Sequence, residues 1–579
     1  MNISALDAVQ RLEGFDEAMS AIVREWNAPG LGVSIVAGNL PPIVKTYGYR
    51  DFESKTPIDS KTLFPIASNT KLFVAIAAGL LVEEGKLTYD GPLRDAVPTL
   101  RLFSDDLTRS VSLRDLLAHR TGITRHEALA MGSTLSFQQI FERLHLLKPV
   151  TGLREKFIYN NVMYFAVGHV IELLSGQTWN DFVRERILEP CGMADTSFSL
   201  SDLVGNERLA VPFNERRDSS ELHRLNWALM DKPLRPSGGM ISTLDDMSRW
   251  VATLLHDGRV DGVQVIPETV IRETSLAAMP LPNVMPEAYG WSESLNPAYG
   301  LGRQSEVYRG HLVQSHGGDA RGFHSQVSVM PSEQIGVCVF SIGDHCTTLR
   351  DAVSYQVYER LLGLNLTPWS ARLRELVKSA KQAASYAYKC RDKDKVEGTR
   401  PTHHMGWYAG EFRHEAYGNM SIQLREGGLR LQFRGGDLPL KHYHYDVFEA
   451  KSDDPEDDAR WLINFHLGSL EHAESFDTQV AENVARFELA SPPAEDDHSN
   501  AVGRYESSDG VVLEVTSRGD GSLWLSAPGQ SAARLTRVER GRFAIDKSPD
   551  SALNLVDEGE TGCYLESTVG SARFRYRKQ

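Results

Sequence analysis

The order of the predicted elements along the chain limits the fold more than any single element does. A short amphipathic helix, "MNISALDAVQRLEGFDEAMSAIVREW", comes first. Two strand-like runs, "GLGVSIVAG" and "PIVKTYGYRD", come next and read as a hairpin. Helical patterns then dominate to about residue 255, as in "MYFAVGHVIELLSG" and "TLDDMSRWVATLLHDG". Near residue 323 the apolar period shortens to two. "FHSQVSVMP" and "IGVCVFSIG" read as strands joined by a "PSEQ" turn, and "HCTTLRDAVSYQVYERLLGL" as a last helix. Strands that come early and late, with helices between, do not build the βαβ alternation of a parallel sheet. They predict an α+β domain in which one antiparallel sheet is flanked by helices.

That domain accounts for residues 1–365. The chain has 579 residues, more than one hydrophobic core serves, so further domains are expected. Residues 366–404 read as a charged helical linker. Beyond it the texture changes to short alternating strands with glycine turns, for example "MSIQLREGGLRLQFRGG" and "RWLINFHLG". The polar segment "SPPAEDDHSN" (491–500) interrupts this texture as a linker. Two small antiparallel β-barrel domains are predicted, at 405–490 and 501–579. The whole is a multidomain α/β chain of the α+β kind.

The charge balance narrows the partners. The net charge of −15 repels phosphate backbones and anionic lipid, so neither nucleic acid nor a membrane surface is expected as a partner. No stretch approaches the roughly 18 apolar residues of a spanning helix, and the N-terminus carries acids where a secretion signal needs an apolar run. Five scattered cysteines fit reduced thiols better than a disulfide frame. A cytoplasmic protein is expected.

The residues that carry chemistry begin in "FPIASNTKLFVAIAAGLLVEEGKL" (64–87). Ser68 and Lys71 are three apart at the start of a helix and face the same way. The next ten residues are apolar nearly all round, so the helix is buried, and Gly85 ends it. Burial of a lysine lowers its pKa. An amine held neutral beside a hydroxyl takes its proton, and the helix start offers a backbone N–H to an oxyanion. The pair supplies a nucleophile, a base and half an oxyanion hole.

With "LFPIASNTKLFVA" the chain resembles the serine β-lactamase and penicillin-binding-protein superfamily, particularly class C β-lactamases, D-aminopeptidases and related esterases. "SLRDLLAHRTGI" (112–123), "YNNVMYFAVGHVIELLSGQTWNDFVRERILEPCGMADTSF", "PSGGMISTLDDMSRW" and "SHGGDARGFHSQVSVMP" extend the likeness in the family's order over roughly residues 15–362. The resemblance implies a metal-free, cofactor-free acyl-enzyme mechanism. The family's second motif, Tyr-x-Asn, falls on Tyr159 and Asn161. Tyr159 would relay the serine proton, and the Asn161 amide would bind Lys71 or a substrate carbonyl. The third motif, Lys-Thr-Gly in β-lactamases and His-x-Gly in D-aminopeptidase-like members, falls on His316-Gly317-Gly318. Gly318 would let substrate approach the strand edge, and the N–H of Asp319 would complete the oxyanion hole. His316 replaces a permanent cation with an imidazole largely neutral at pH 7. Arg321 is the nearest candidate to replace that charge.

Competing readings fare worse. Gly317-x₄-Gly322 lacks the lysine of a phosphate loop, and no zinc-protease motif occurs. His442 and His444 share a strand face without a third ligand, so no metal site is expected. The expected function is cleavage of an amide or peptide bond in a small-molecule or short-peptide substrate. An esterase or acyltransferase, a β-lactamase, and an inactive binding protein of the same fold are the alternatives.

Overall fold

Three eight-residue runs, Gly30–Ala37, Phe323–Met330 and Ile335–Ile342, are buried at every position, the mark of strands covered on both faces. In the computed structural model they form the centre of a nine-stranded antiparallel sheet. The structure describes residues 5–579 apart from 131–134, 199–202, 204, 227–235, 426–427, 434–435, 453–455, 457–459, 469–471, 481–482, 492–500, 519–521, 540–541, 547, 558–562 and 570–571. The expected linker at 491–500 lies, but for Ser491, outside the described residues.

The sheet strands are β1 (Gly30–Ala37), β2 (Ile43–Asp51), β3 (Thr56–Pro57), β4 (Met279–Pro280), β5 (Ser294–Tyr299), β6 (Gln304–Tyr308), β7 (His311–Ala320), β8 (Phe323–Met330) and β9 (Ile335–Ile342). Their spatial order is β4-β5-β6-β7-β8-β9-β1-β2-β3. The N-terminal hairpin thus joins the late strands through β1 and β9, with Val33 opposite Val339. Both ends of the sheet finish in strands of two residues, which leaves little edge to template further pairing.

Helices cover the two faces. On one, α1 (Phe15–Glu25), α5 (Leu349–Leu362) and α6 (Trp369–Lys389) bury Met19, Val353 and Trp369 against Val33 and Val337. On the other, α4 (Leu244–Leu255) lies so close that a Cβ on Gly32 would meet Leu244, and one on Gly336 would meet Val251. Helix α2 (Thr70–Glu83) is buried from Thr70 to Leu81, with Phe73 stacked on Trp250 at 4.0 Å. Gly85, at φ +70°, takes the left-handed backbone that ends it. Helix α3 (Asn161–Ser175) packs on α2.

The chain divides into two compact units, residues 1–389 and 390–579. Helix α6 belongs to the first: the Trp369 indole donates to the Tyr308 hydroxyl at 2.7 Å, and Leu373 enters the same core. The second unit holds two closed barrels of eight antiparallel strands each. In one, Gly410–His414 pairs with Asn483–Ser491 to shut the ring. Phe412, Phe448, Phe465, Phe476 and Phe487 fill its interior. In the other, Gly503–Ser507 pairs with Ala572–Lys578 around Tyr505, Phe543 and Leu565. His442 and His444 sit either side of a bulge in the first barrel, bonded to the Tyr445 carbonyl and the Val396 N–H.

Candidate active site

The turn before α2 is tied down from three sides. Phe64–Pro65 pairs with Ile241–Ser242, Ile66 N–H donates to the Met240 carbonyl at 3.0 Å, and the Thr70 hydroxyl donates to the Ala67 carbonyl at 2.7 Å. Ala67 takes φ +47°, a left-handed conformation that costs an L-residue roughly 1–2 kcal/mol. Next comes a short 3₁₀ turn carrying Ser68, which leads directly into α2.

Lys71, one turn on, is fully buried. Its Nζ lies 3.0 Å from Ser68 Oγ and 2.5 Å from the Ser237 carbonyl. It stands 4.8 Å from the centre of the Tyr159 ring and 5.4 Å from that of Tyr164. Both hydrogen-bond partners are uncharged oxygens, not carboxylates. Burial therefore drives its pKa well below the ordinary lysine value; Glu127 opposes this and Arg125 adds to it. Tyr159 lines the same cleft as Ser68, and burial raises its phenol pKa although Ser68 acts to lower it. The predicted trio of Ser68, Lys71 and Tyr159 is thus brought together.

Strand β7 supplies the facing wall. A Cβ at Gly318 would stand 2.1 Å from the Ile66 carbonyl, so only glycine lets this strand lie against the Ser68 turn. His316 is neutral: its Nδ1–H donates to the Gly317 carbonyl at 2.6 Å and its Nε2 accepts from the Tyr299 hydroxyl at 2.9 Å. Burial, then the proximity of Lys71, pulls its pKa down to about 3. The Asp319 carboxylate accepts from Arg350 and, at 2.7 Å, from His324; these partners hold it well below the usual carboxylate range against the effect of burial.

These groups surround a cleft of about 760 Å³ lined by Ser68, Tyr159, Asn161, His316 and Asp319. Two expectations shift. Arg321 lies in the turn after β7, carried past the end of the strand, and is not among the lining residues. The cations there are Arg125 and Arg350. Asn161 bonds neither Lys71 nor an open position: its Nδ2 donates to both oxygens of Glu127 at 3.1 Å. A carboxylate only accepts, so this contact fixes the amide orientation. Asn161 Oδ1 is left buried without a partner among the described residues.

Several lining residues escaped the sequence reading. Glu127, paired with Arg125 at 2.7 Å, comes only four residues after "SLRDLLAHRTGI", so the charged run beyond that segment was the available signal. Tyr299 lies in "AYGLG", and Arg350 at the start of a helix with no motif around it. Asp351, also on the cleft wall, is raised to about 6 by burial, with Arg350 opposing. Among the described residues no cluster of three metal-ligating side chains occurs.

The family described as Beta-lactamase matches residues 15–362, and a domain of unknown function (DUF3471) matches 394–492. The chain is 26% identical to the unguisins hydrolase of Aspergillus violaceofuscus over 445 residues, 71% of this chain and 76% of that protein. Its fold is similar to an octameric penicillin-binding protein homologue from Pyrococcus abyssi (TM-score 0.53, 19% identity, 82% of this chain and all of the other). It is also similar to a D-amino acid amidase from Ochrobactrum anthropi (TM-score 0.50, 21% identity, 60% of this chain and 98% of the other).

Proposed function

Since the chain belongs to the Beta-lactamase family, we propose that it is a serine hydrolase that opens an amide bond through an acyl-enzyme on Ser68. The observation that carries this reading is the 3.0 Å approach of the buried Lys71 amine, whose pKa burial drives well below the ordinary lysine value, to the Ser68 hydroxyl. Lys71 accepts the hydroxyl proton as Ser68 Oγ adds to the substrate carbonyl. The backbone N–H groups of Ser68 and Asp319 take the oxyanion. The Tyr159 phenol gives its proton to the leaving group and recovers one from the Lys71 ammonium, the acyl–nitrogen bond breaks, and water releases the acyl group. No step calls for a metal or cofactor.

The orientation of Asn161 favours amides over esters. Its Oδ1 is a buried acceptor with no partner among the described residues, which an amide N–H satisfies and an ester oxygen leaves unpaired. Leaving it unpaired costs about 1–3 kcal/mol. The hydrolase and amidase among the chain's relatives point the same way. Matched acyl p-nitroanilides and p-nitrophenyl esters, in D and L series, test the reading, with intact-mass detection of the acyl-enzyme. The expected result is an adduct lost in Ser68→Ala, and turnover of anilides. Absence of any adduct with both substrates and a fluorophosphonate probe would instead favour an inactive binding protein.

A further inference from the structure

The segment "SLRDLLAHRTGI" sits beside the cleft without a role in the chemistry above. Its His119 is fully buried and holds φ +57°, a left-handed backbone uncommon outside glycine that the surrounding contacts must hold in place. Those contacts fall on both sides of Tyr159. The His119 carbonyl accepts the Ile158 N–H at 2.9 Å, and its Nδ1 accepts the Asn160 N–H at 3.0 Å. The two bonds bracket Tyr159 in the chain. The rings lie against each other, centroids 4.3 Å apart and planes 38° apart.

We propose that His119 is the positioning residue that sets the Tyr159 phenol against Ser68 and Lys71. The inference rests on the serine-hydrolase reading and adds a residue to it. Because a backbone N–H only donates, Nδ1 must keep its lone pair, which fixes the neutral tautomer with hydrogen on Nε2. That Nε2 has no hydrogen-bond partner among the described residues. The rings of Phe157, Tyr164 and Tyr299 surround His119 with centroids 5.0–5.6 Å away. With one nitrogen holding the backbone and the other enclosed by aromatic rings, the imidazole does not pass protons; it holds shape. Its environment agrees, since burial, Lys71 and His316 all oppose protonation, which would break the Asn160 bond.

The clamp is itself anchored. Buried Asp115 accepts from Arg120 at 2.6 Å and from Arg154 at 2.8 Å, and Arg154 N–H donates to the Arg120 carbonyl at 2.7 Å. The stretch of chain carrying His119 is thereby fixed to the one leading to Tyr159.

The test compares two variants of the full chain by their reaction with an alkyl fluorophosphonate, recording maximal labelling rate, half-saturating concentration, pH profile and thermal midpoint. His119→Asn keeps an acceptor where Nδ1 stands and tolerates the left-handed backbone. His119→Gln places its amide one bond farther out and leaves the Asn160 N–H unpaired. The Asn variant should label within about threefold of the parent. The Gln variant should be roughly 30-fold slower in maximal rate, within the range a displaced acid–base group gives, with half-saturation unchanged and a shifted pH profile. Equal rates for Asn and Gln overturn the inference, as does a Gln defect explained wholly by a lowered folded fraction. In a Tyr159→Phe background the Gln substitution should add little; a second full loss there also overturns it. Tyr159→Phe labelling at the parental rate would overturn the proton-transfer reading itself. A slow Tyr159→Phe beside a fast His119→Gln would remove only the positioning role.

Discussion

The side-chain amide of Asn161 directs both donor contacts to Glu127, 3.1 Å from each carboxylate oxygen, and so leaves its Oδ1 as a buried acceptor with no partner among the described residues. Glu127→Gln removes the charge that dictates this orientation and lets the amide turn over. The preference for an amide over its matched ester should fall about tenfold in kcat/KM, the effect of about one hydrogen bond. Steady-state kinetics on the matched pair decide it; an unchanged ratio would show that Asn161 does not read the scissile group.

Lys71→Met should raise the thermal midpoint while abolishing labelling of Ser68. A lysine buried without a carboxylate partner costs folding free energy, which an apolar side chain of similar length recovers. The folded chain binds this proton less tightly than the unfolded one. Stability in the parent should therefore climb as pH rises toward the ordinary lysine pKa near ~10.4, and Lys71→Met should flatten that slope. Lys71→Arg, which stays charged, should be inactive and less stable. Calorimetry across pH checks both.

His316 falls from an ordinary 6.5 to about 3 in the folded chain. Between those values the unfolded chain takes up a proton that the folded chain refuses, so stability should decline as pH drops from 6.5 toward 3, by up to about 1.4 kcal/mol per unit. Buried His119 adds a contribution of the same sign. His316→Asn should lessen the slope in urea unfolding between pH 6.5 and 4; a slope equal to the parent's would show that the ring is already charged in the fold.

Arg350 is nearly buried beside a half-exposed Asp319. Asp319→Ala removes one of the two carboxylates beside that guanidinium, Asp351 remaining at 4.0 Å, and should destabilise the first unit by about 1–3 kcal/mol. It should also slow acylation, because the Arg350 bonds to the Gly318 carbonyl and the Asp319 carboxylate hold the backbone proposed above to supply the second oxyanion N–H. Asp319→Asn should recover part of both. Denaturant unfolding and labelling rates measure the two effects separately.

Much of this fold was legible because its signals are local. The two-residue period of β8 and β9, the all-apolar α2 and the glycine that ends it come from side-chain pattern alone, and so does the pairing of Ser68 with Lys71. What stayed hidden is non-local. The strand Ala473–Val480 buries the small polar Ser475 and Thr478 on either side of Phe476, so its sequence lacks the expected alternation. Glu127, Tyr299 and Arg350 reach the cleft from three separate elements, and no spacing rule joins them. Arg321 misled because nearness in sequence is not nearness in space once a strand ends in a turn. His119 carried no signal of its own within "SLRDLLAHRTGI", yet its acceptor nitrogen and its carbonyl hold the backbone on either side of Tyr159.

In each barrel the first strand pairs with the last. The polypeptide therefore comes in and goes out at neighbouring points on the ring. Such a ring is a loop off the main path, removable or exchangeable like a bead on a doubled thread, without lengthening the route between the segments that flank it.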